Sequence, residues 1–280
     1  MADNDQLYFG IDVDNTIRDD IPVEDDAPRN ENAYEDRVVA FLDILGFSEL
    51  IRASKAEPNN ISKIVDALKI AASPEHIGTA QQHIECHDIK ISTFSDCVVV
   101  SAPNDLNGLT AVVITVWMIT KDWLSKGFLS RGGISCGHLL HTTPQIENQI
   151  PSVVFGPAFL EAYQTEHQVA DVARVLLHKS ARLLFDEYKK QSTTPTDLSQ
   201  LIVKCSDGPY AVDVFAHLRT NGFPLGTDPR PEAEQFKSEL QLKLVSDIDT
   251  PRHFAKIKWL VEQFNGSVDN TDLTDLKICI

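Results

Sequence analysis

The 280-residue chain lacks the features that mark membrane-spanning, secreted and nucleic-acid-binding proteins. Its longest apolar run, residues 109–120, is too short to cross a bilayer, because a membrane-spanning helix needs about 20 apolar residues. The acidic N-terminus has no apolar core of the kind found in signal peptides. Lysine and arginine number 25 against 41 aspartates and glutamates, and the net charge of −16 disfavours binding to nucleic acid over a broad surface. These absences predict a cytoplasmic protein without membrane or nucleic-acid partners.

Cysteine patterns typical of disulfide frameworks or zinc sites are also missing. The 5 cysteines are odd in number and none belongs to a CxxC pair. The hydrophobic content of 42% is ordinary for one large or two small globular domains. We expect an acidic, partly mobile extension over residues 1–35, a core domain over residues 36–190, and a helical elaboration over residues 191–280 that packs on the core.

The stretch from Arg37 to Ser48 carries the first chemical signal. Residues 38–42 are an apolar run typical of a short buried strand, and Asp43 closes it. A carboxylate at the end of a buried strand is costly unless it is paired, and a divalent cation is the usual partner. Gly46 then turns the chain into a polar, helix-compatible segment, where free backbone N–H groups can bind phosphate.

The stretch from Ile91 to Ser101 carries the second signal. Its β-branched and apolar residues predict two strands joined by a tight turn at residues 94–96, with Asp96 at the tip. Two acids at strand ends suit a two-metal site for nucleoside triphosphate chemistry. The alternative is two buried acids that are satisfied by capping or by a salt bridge.

The remaining pattern predicts an α+β fold. Helices are expected over residues 48–72, 106–126, 156–168, 180–190, 231–248 and 251–265, and strands over residues 83–93, 97–101, 128–140 and 172–178, with strand-like pieces over 201–215. With the first strand, the core follows the order βααββαβ, a ferredoxin-like arrangement around an antiparallel sheet.

Several of these segments together resemble a known family. Residues 41–48 and 94–101 are similar to the two metal motifs of class III nucleotide cyclases, and residues 131–137 resemble the core strand that follows them. The Gly-Pro-Ala triplet and the Ala-Tyr pair within residues 155–166 are similar to those of the Pycsar pyrimidine cyclases of bacterial phage defence. The helix over residues 256–265 also resembles a helix of that group. The resemblance covers roughly residues 36–180 and that helix.

The resemblance implies a set of site residues. Asp43 and Asp96 are expected to bridge two divalent metal ions, Mn²⁺ or Mg²⁺, and the backbone carbonyl of Ile44 to be a further metal ligand. Backbone amides of the turn are expected to cradle the phosphates. The substrate-binding residues predicted in this turn are Leu45, Gly46, Phe47 and Ser48.

Four positions depart from the adenylyl and guanylyl cyclases in this alignment. Ser92 and Val153 replace a lysine and an acid that read the purine, and Leu160 and Gln164 replace an asparagine and an arginine that orient the ribose and stabilise the transition state. Either the site is rebuilt for a pyrimidine or the domain is an inactive, nucleotide-binding module. Retention of both acids favours the first interpretation, because two close carboxylates are costly without a cation.

Two arginines are candidates for the missing cation. Arg131 is predicted as a catalytic residue and Arg174 as a substrate-binding residue, because each lies on a predicted core strand, where an unpaired guanidinium is costly. The alternative for each is a structural salt bridge.

The resemblance thus implies a pyrimidine nucleotide cyclase that converts UTP, or less favoured CTP, to the 3′,5′-cyclic monophosphate and pyrophosphate. It implies a homodimer with active sites at the interface and a separate effector that the cyclic nucleotide activates during phage infection. A third possibility is a phosphatase, since Asp12 and Asp14 lie in an Asp-x-Asp-x-Thr motif similar to that of haloacid-dehalogenase-type phosphatases.

Overall fold

The architecture was taken from a computed structural model. It describes residues 33–84, 86–142, 153–191, 198–220, 222, 224–246 and 249–280. Residues 33–280 form one unit. The Asp12–Asp14 motif and nearly all of the predicted N-terminal extension lie outside the described residues.

The described residues form a mixed sheet. The strands are β1 (Glu35–Ile44), β2 (Lys90–Phe94), β3 (Cys97–Pro103), β4 (Ser130–His141), β5 (Val154–Phe155), β6 (Val175–Leu177), β7 (Ile202–Lys204) and β8 (Tyr210–Val212). Their order is β2-β3-β1-β4-β6-β8-β7, and β5 pairs with β4. All of these pairings are antiparallel except that of β4 with β6, which the intervening helix makes parallel.

Helices cover both faces of the sheet. They are α1 (Phe47–Ala53), α2 (Asn59–Ala71), α3 (Pro74–His83), α4 (Leu106–Ser125), α5 (Pro157–Val169), α6 (Lys179–Gln191), α7 (Ala216–Arg219), α8 (Arg230–Ser246) and α9 (Pro251–Val268). None of the helices in the described ranges is long and apolar enough to span a membrane.

Strand β1 lies between β3 and β4, and it is buried on both faces. Val38, Ala40 and Leu42 pack in the cluster that contains α4. Val39 and Phe41 pack in a second cluster against α5. Since side chains alternate along a strand, Asp43 shares the α5 face with Phe41. The Asp43 carboxylate therefore lies on the α5 face of the sheet, where its side chain is 20% exposed.

The C-terminal helices extend the core. Helices α8 and α9 contribute Phe236, Leu240, Ile257 and Phe264 to a cluster that also contains Leu124 at the end of α4. The predicted helices 231–248 and 251–265 match α8 and α9 closely. The division of the described chain into a core and a C-terminal segment stays a prediction.

The α+β fold predicted from the sequence is confirmed. The strand predicted over residues 83–93 is wrong in its first half, because α3 ends at His83 and only Lys90–Phe94 pairs in the sheet. Ser73 accepts a hydrogen bond from the Glu75 amide at the start of α3, and Pro74 occupies the first turn. These helix-start signals account for α3, and residues 86–89, which follow it, belong to no helix or strand. The single helix predicted over residues 48–72 is divided into α1 and α2.

Candidate active site

Strand pairing brings the two predicted metal acids together. Asp43 lies opposite Cys97 on β3 and opposite Arg131 on β4. Asp96 precedes Cys97 in the turn between β2 and β3, where Ser95 takes a φ of 57°. The Ile44 amide donates a hydrogen bond to the Asp96 carbonyl at 3.3 Å, which fixes this turn beside the end of β1.

The acids form a group with metal-ligand geometry. One ligand atom each from Asp43, Asp96 and Cys97 lies within 4.8 Å of the others. Mg²⁺ and Mn²⁺ prefer oxygen ligands, so the two carboxylates fit these ions. Cys97 is a poor third ligand because burial and the neighbouring Asp96 carboxylate raise the pKa of its thiol to about 12.

The charge balance of the pair also favours a cation. Burial raises the pKa of Asp43, the Arg131 guanidinium opposes this, and the Asp96 carboxylate raises the pKa further. The two acids therefore repel each other, and one arginine only partly offsets the repulsion. A divalent ion between them would remove it, so the residues present fit such an ion.

The turn after β1 leaves amides available beside the acids. Gly46 has a φ of 78°, and the position that a Cβ would occupy there has no heavy atom within 4 Å. Across the described residues, the amides of Gly46, Phe47 and Ser48 have no hydrogen-bond acceptor, as expected at a helix start. The Leu45 amide differs, because it donates to the Leu129 carbonyl at 2.8 Å. The predicted phosphate contact of Leu45 is therefore not retained.

Arg131 lies next to the acids. Its Nε is 3.6 Å from Oδ2 of Asp43 and also forms an ion pair with Oε1 of Glu166. The Arg131 side chain is 25% exposed. In the part of the chain that is described, its terminal guanidinium nitrogens donate no hydrogen bonds. The fork of Arg131 therefore remains able to bind a phosphate.

Glu166 was not predicted as a site residue. Ala158, Ala162, Thr165 and Glu166 recur at helical spacing and form the buried face of α5. A carboxylate on such a face is a signal in the sequence, but its partner comes from β4 and could not be identified. Burial raises the pKa of Glu166, the Arg131 charge opposes the rise, and the Asp43 charge adds to it.

The absence of a side chain at Gly133 allows α5 to lie directly on β4. A Cβ at Gly133 would overlap the carbonyl oxygen of Ala162 and lie 2.8 Å from the Cβ of Thr165. The Ser135 hydroxyl donates a hydrogen bond to the Ala158 carbonyl. This close approach places Glu166 over Arg131.

Arg174 is not brought together with the two acids. It precedes β6, and its guanidinium donates two hydrogen bonds to Asp207, at 2.9 and 2.6 Å. The same guanidinium lies 5.7 Å from the ring centroid of Trp259 on α9. The predicted role of Arg174 as a substrate-binding cation therefore gives way to the alternative, a structural ion pair.

Ser92 belongs to a buried polar network. Its Oγ lies 2.9 Å from Nε2 of His141, whose Nδ1 lies 2.8 Å from Oγ of Ser101. Arg37 donates from Nε to Ser101 at 3.0 Å. Burial, with the nearby Arg37 charge, lowers the pKa of His141 to about 4, so the imidazole is neutral near pH 7. Ser92 is therefore paired with a neutral imidazole, and no positive charge is present at its position.

Comparisons with known proteins gave only distant structural likenesses. No protein-family model matches the chain, and no curated protein is similar to it. The adenylyl cyclase CyaB from P. aeruginosa aligns at 19% identity over 64% of this chain and 94% of its own, with a TM-score of 0.41. A bacterial light-regulated adenylyl cyclase aligns at 14% identity over 65% of this chain and 52% of its own, with a TM-score of 0.44. The guanylyl cyclase Cya2 aligns at 15% identity over 64% and 92%, with a TM-score of 0.39. Structural similarity at this level does not show what activity the chain has.

Proposed function

We propose that the chain is a metal-dependent nucleotide cyclase. The observation that carries the proposal is the convergence of Asp43 and Asp96 within 4.8 Å, beside a turn whose amides at Gly46, Phe47 and Ser48 are unused. Carboxylates that hold divalent ions and backbone amides that bind phosphate are together what a nucleoside triphosphate requires.

The proposed reaction is intramolecular. The ribose 3′-oxygen forms a bond to the α-phosphorus, the bond from that phosphorus to the bridging oxygen breaks, and pyrophosphate leaves while the hydroxyl proton passes to water. Divalent ions, when bound, lower the pKa of the hydroxyl and offset the triphosphate charge. Asp43, Asp96 and the Ile44 carbonyl would hold these ions, and the turn amides would orient the β- and γ-phosphates.

Arg131 is the proposed catalytic cation. Its side chain reaches Asp43 and remains partly exposed, and its terminal nitrogens are available. Because charge spreads over the phosphoryl oxygens as the bond to the leaving group breaks, a guanidinium next to these oxygens would stabilise the transition state more than the ground state. Arg131 thus supplies the cation that Gln164 on α5 cannot.

We propose a pyrimidine triphosphate, UTP in preference to CTP, as the substrate. The support comes from the sequence, since Ser92 and Val153 replace the two groups that read the purine in the resembling cyclases. The resemblance to Pycsar cyclases adds the proposal that cyclic UMP switches on a separate effector in defence against phage.

A homodimer with the active sites at its interface completes the proposal. On the α5 side of the sheet, Phe155, Leu160 and Tyr163 are 46%, 52% and 40% exposed. Grouped exposed apolar side chains are typical of protein interfaces. The group lies beside the face to which Asp43 and Arg131 belong, so a second copy that covers it would also enclose the site.

The second candidate is a nucleotide-binding module without turnover. It is favoured by Leu160 and Gln164, which cannot orient a ribose or stabilise charge as asparagine and arginine do. The Asp12–Asp14 phosphatase hypothesis rests on residues outside those described.

The test is incubation of the purified full chain with Mn²⁺ and each of the four ribonucleoside triphosphates, with products identified by mass. We expect cyclic UMP, and an Asp96→Asn variant that loses at least about 100-fold in rate, as expected for loss of a metal-holding carboxylate. Asp186→Asn is the matched control, because Asp186 pairs with Lys189 on the surface of α6, which packs on the other face of the sheet. Triphosphate binding without any cyclic product would establish the binding module instead. A cyclic purine product would overturn the base assignment.

A further inference from the structure

We propose that Glu166 is a positioning residue that limits the pairing of Arg131 with Asp43 and thereby keeps Asp43 available to a divalent cation. The inference rests on the proposed function in taking Asp43 as a metal-holding carboxylate. It adds a role for a buried acid on α5 that neither the sequence motifs nor the metal cluster assigns.

One guanidinium faces two carboxylates at this point. The closest contacts of Arg131 to Glu166 and to Asp43 both involve Nε, and the contact to Glu166 is the shorter. The Glu166 side chain is 3% exposed, against 20% for Asp43. Because charges attract more strongly at shorter distance and in less polar surroundings, Arg131 is bound mainly to Glu166.

Helix α5 gives Glu166 little freedom to follow Arg131. The backbone of α5 lies directly on β4 at Gly133, and Ser135 bonds to the Ala158 carbonyl two turns before Glu166. The backbone that carries Glu166 is therefore held against the sheet. The closest atom of Arg131 to Glu166 is Nε rather than a terminal nitrogen.

Loss of the Glu166 carboxylate would change the partner of Arg131. In a Glu166→Gln variant, the half-buried guanidinium keeps Asp43 as its only charged partner within ion-pair distance among the described residues. Pairing with Asp43 would then tighten, because an unpaired buried charge is costly. Arg131 would compete with a divalent ion for the same carboxylate, and metal binding would weaken.

Mn²⁺ binding to the full chain without nucleotide tests this directly. Electron paramagnetic resonance of free Mn²⁺ gives a dissociation constant for the wild type, Glu166→Gln, Arg131→Gln and the double variant. We expect Glu166→Gln to weaken Mn²⁺ binding about 10-fold in the wild type and less than about 2-fold in the Arg131→Gln background, a coupling typical of directly contacting charges. Glu161→Gln is the control, since it removes the same charge from α5 at a carboxylate paired with His178.

This double-mutant cycle distinguishes the positioning of Arg131 by Glu166 from the simple removal of a negative charge. Equal weakening by Glu166→Gln in both backgrounds, or by Glu161→Gln, would mean a general electrostatic effect and overturn the inference. Unchanged Mn²⁺ binding in Glu166→Gln would overturn it as well. Arg131→Met provides a second background that keeps the aliphatic stem, and urea unfolding checks that each variant folds.

Failure of the inference is distinguishable from failure of the proposed function. If the chain makes a cyclic nucleotide but the effects of Glu166→Gln and Arg131→Gln on Mn²⁺ binding are independent, the proposed function stands and the role of Glu166 does not. If the two effects are coupled but no cyclic product forms, the role of Glu166 stands and the proposed function does not. A wild-type chain that binds no Mn²⁺ overturns both.

Discussion

Asp43 on β1 lies directly opposite Arg131 on β4, and Nε of the arginine is 3.6 Å from Oδ2 of the aspartate. Cross-strand neighbours on one face are within reach of each other in any antiparallel pair, so this contact follows from the register alone. A shift of one residue would turn Arg131 to the opposite face. The register of β1 and β4 therefore determines whether an acid and its cation meet.

The close approach of α5 to β4 can be tested at Gly133. In Gly133→Ala, the new Cβ would overlap the Ala162 carbonyl, so α5 must move away from the sheet. We expect a loss of about 1–3 kcal/mol in the free energy of unfolding, typical of overpacking. Cyclase activity should also fall, because Glu166 would leave Arg131. Urea unfolding and product analysis measure the two effects.

Gly78→Ala is the matched control for this substitution. Gly78 lies within α3, and a Cβ there has no heavy atom within 4 Å. The same change is expected to stabilise the protein by up to about 1 kcal/mol, since alanine favours a helix over glycine. Equal effects of the two substitutions would contradict the account of α5 packing.

The proposed dimer surface can be tested at Leu160. Its side chain is 52% exposed on α5, so Leu160→Glu should leave the unfolding free energy of the monomer nearly unchanged. Burying the new charge in an interface is costly, and we expect dissociation to monomers together with loss of cyclase activity. Analytical ultracentrifugation over a range of concentrations measures the dissociation.

Leu183→Glu is the control for the surface. Leu183 is 57% exposed on α6, which packs toward α4 on the other face of the sheet. This variant should keep the dimer and the activity of the wild type. A Leu160→Glu chain that remains dimeric would place the interface elsewhere.

The fold was largely predictable because its signals are local. The apolar run before Asp43 and the turn at Asp96 identify two strand ends, and their pairing brings the acids together as expected from the motifs. The partners of Arg174 and Glu166 could not be predicted, since Asp207 and Arg131 lie far from them in sequence. Such ion pairs depend on tertiary placement, which leaves no periodic trace in the chain.

The network around His141 connects β2, β3 and β4 by hydrogen bonds. His141 is 2% exposed and accepts or donates through both ring nitrogens, to Ser92 and to Ser101. Arg37, also buried, donates to Ser101 and pairs with Glu35 and Asp88. A proton added to the ring would place a second positive charge next to Arg37 without solvent to stabilise it.

This arrangement predicts a specific dependence of stability on pH. The pKa of His141 is lowered from 6.5 to about 4 in the folded protein, so the unfolded chain takes up a proton first as the pH falls. The contribution of neutral His141 to the free energy of unfolding is therefore full above pH 6.5 and is lost toward pH 4, by up to about 3 kcal/mol. Urea unfolding of the wild type and of His141→Gln at about one point per pH unit, from about pH 7.5 to about pH 4.5, measures the slope. We expect the variant to be less stable at pH 7.5 but to have a shallower slope.

His87→Gln, at an exposed position, should keep the slope of the wild type. Parallel slopes for the wild type and His141→Gln would show that the buried imidazole does not take part in acid unfolding.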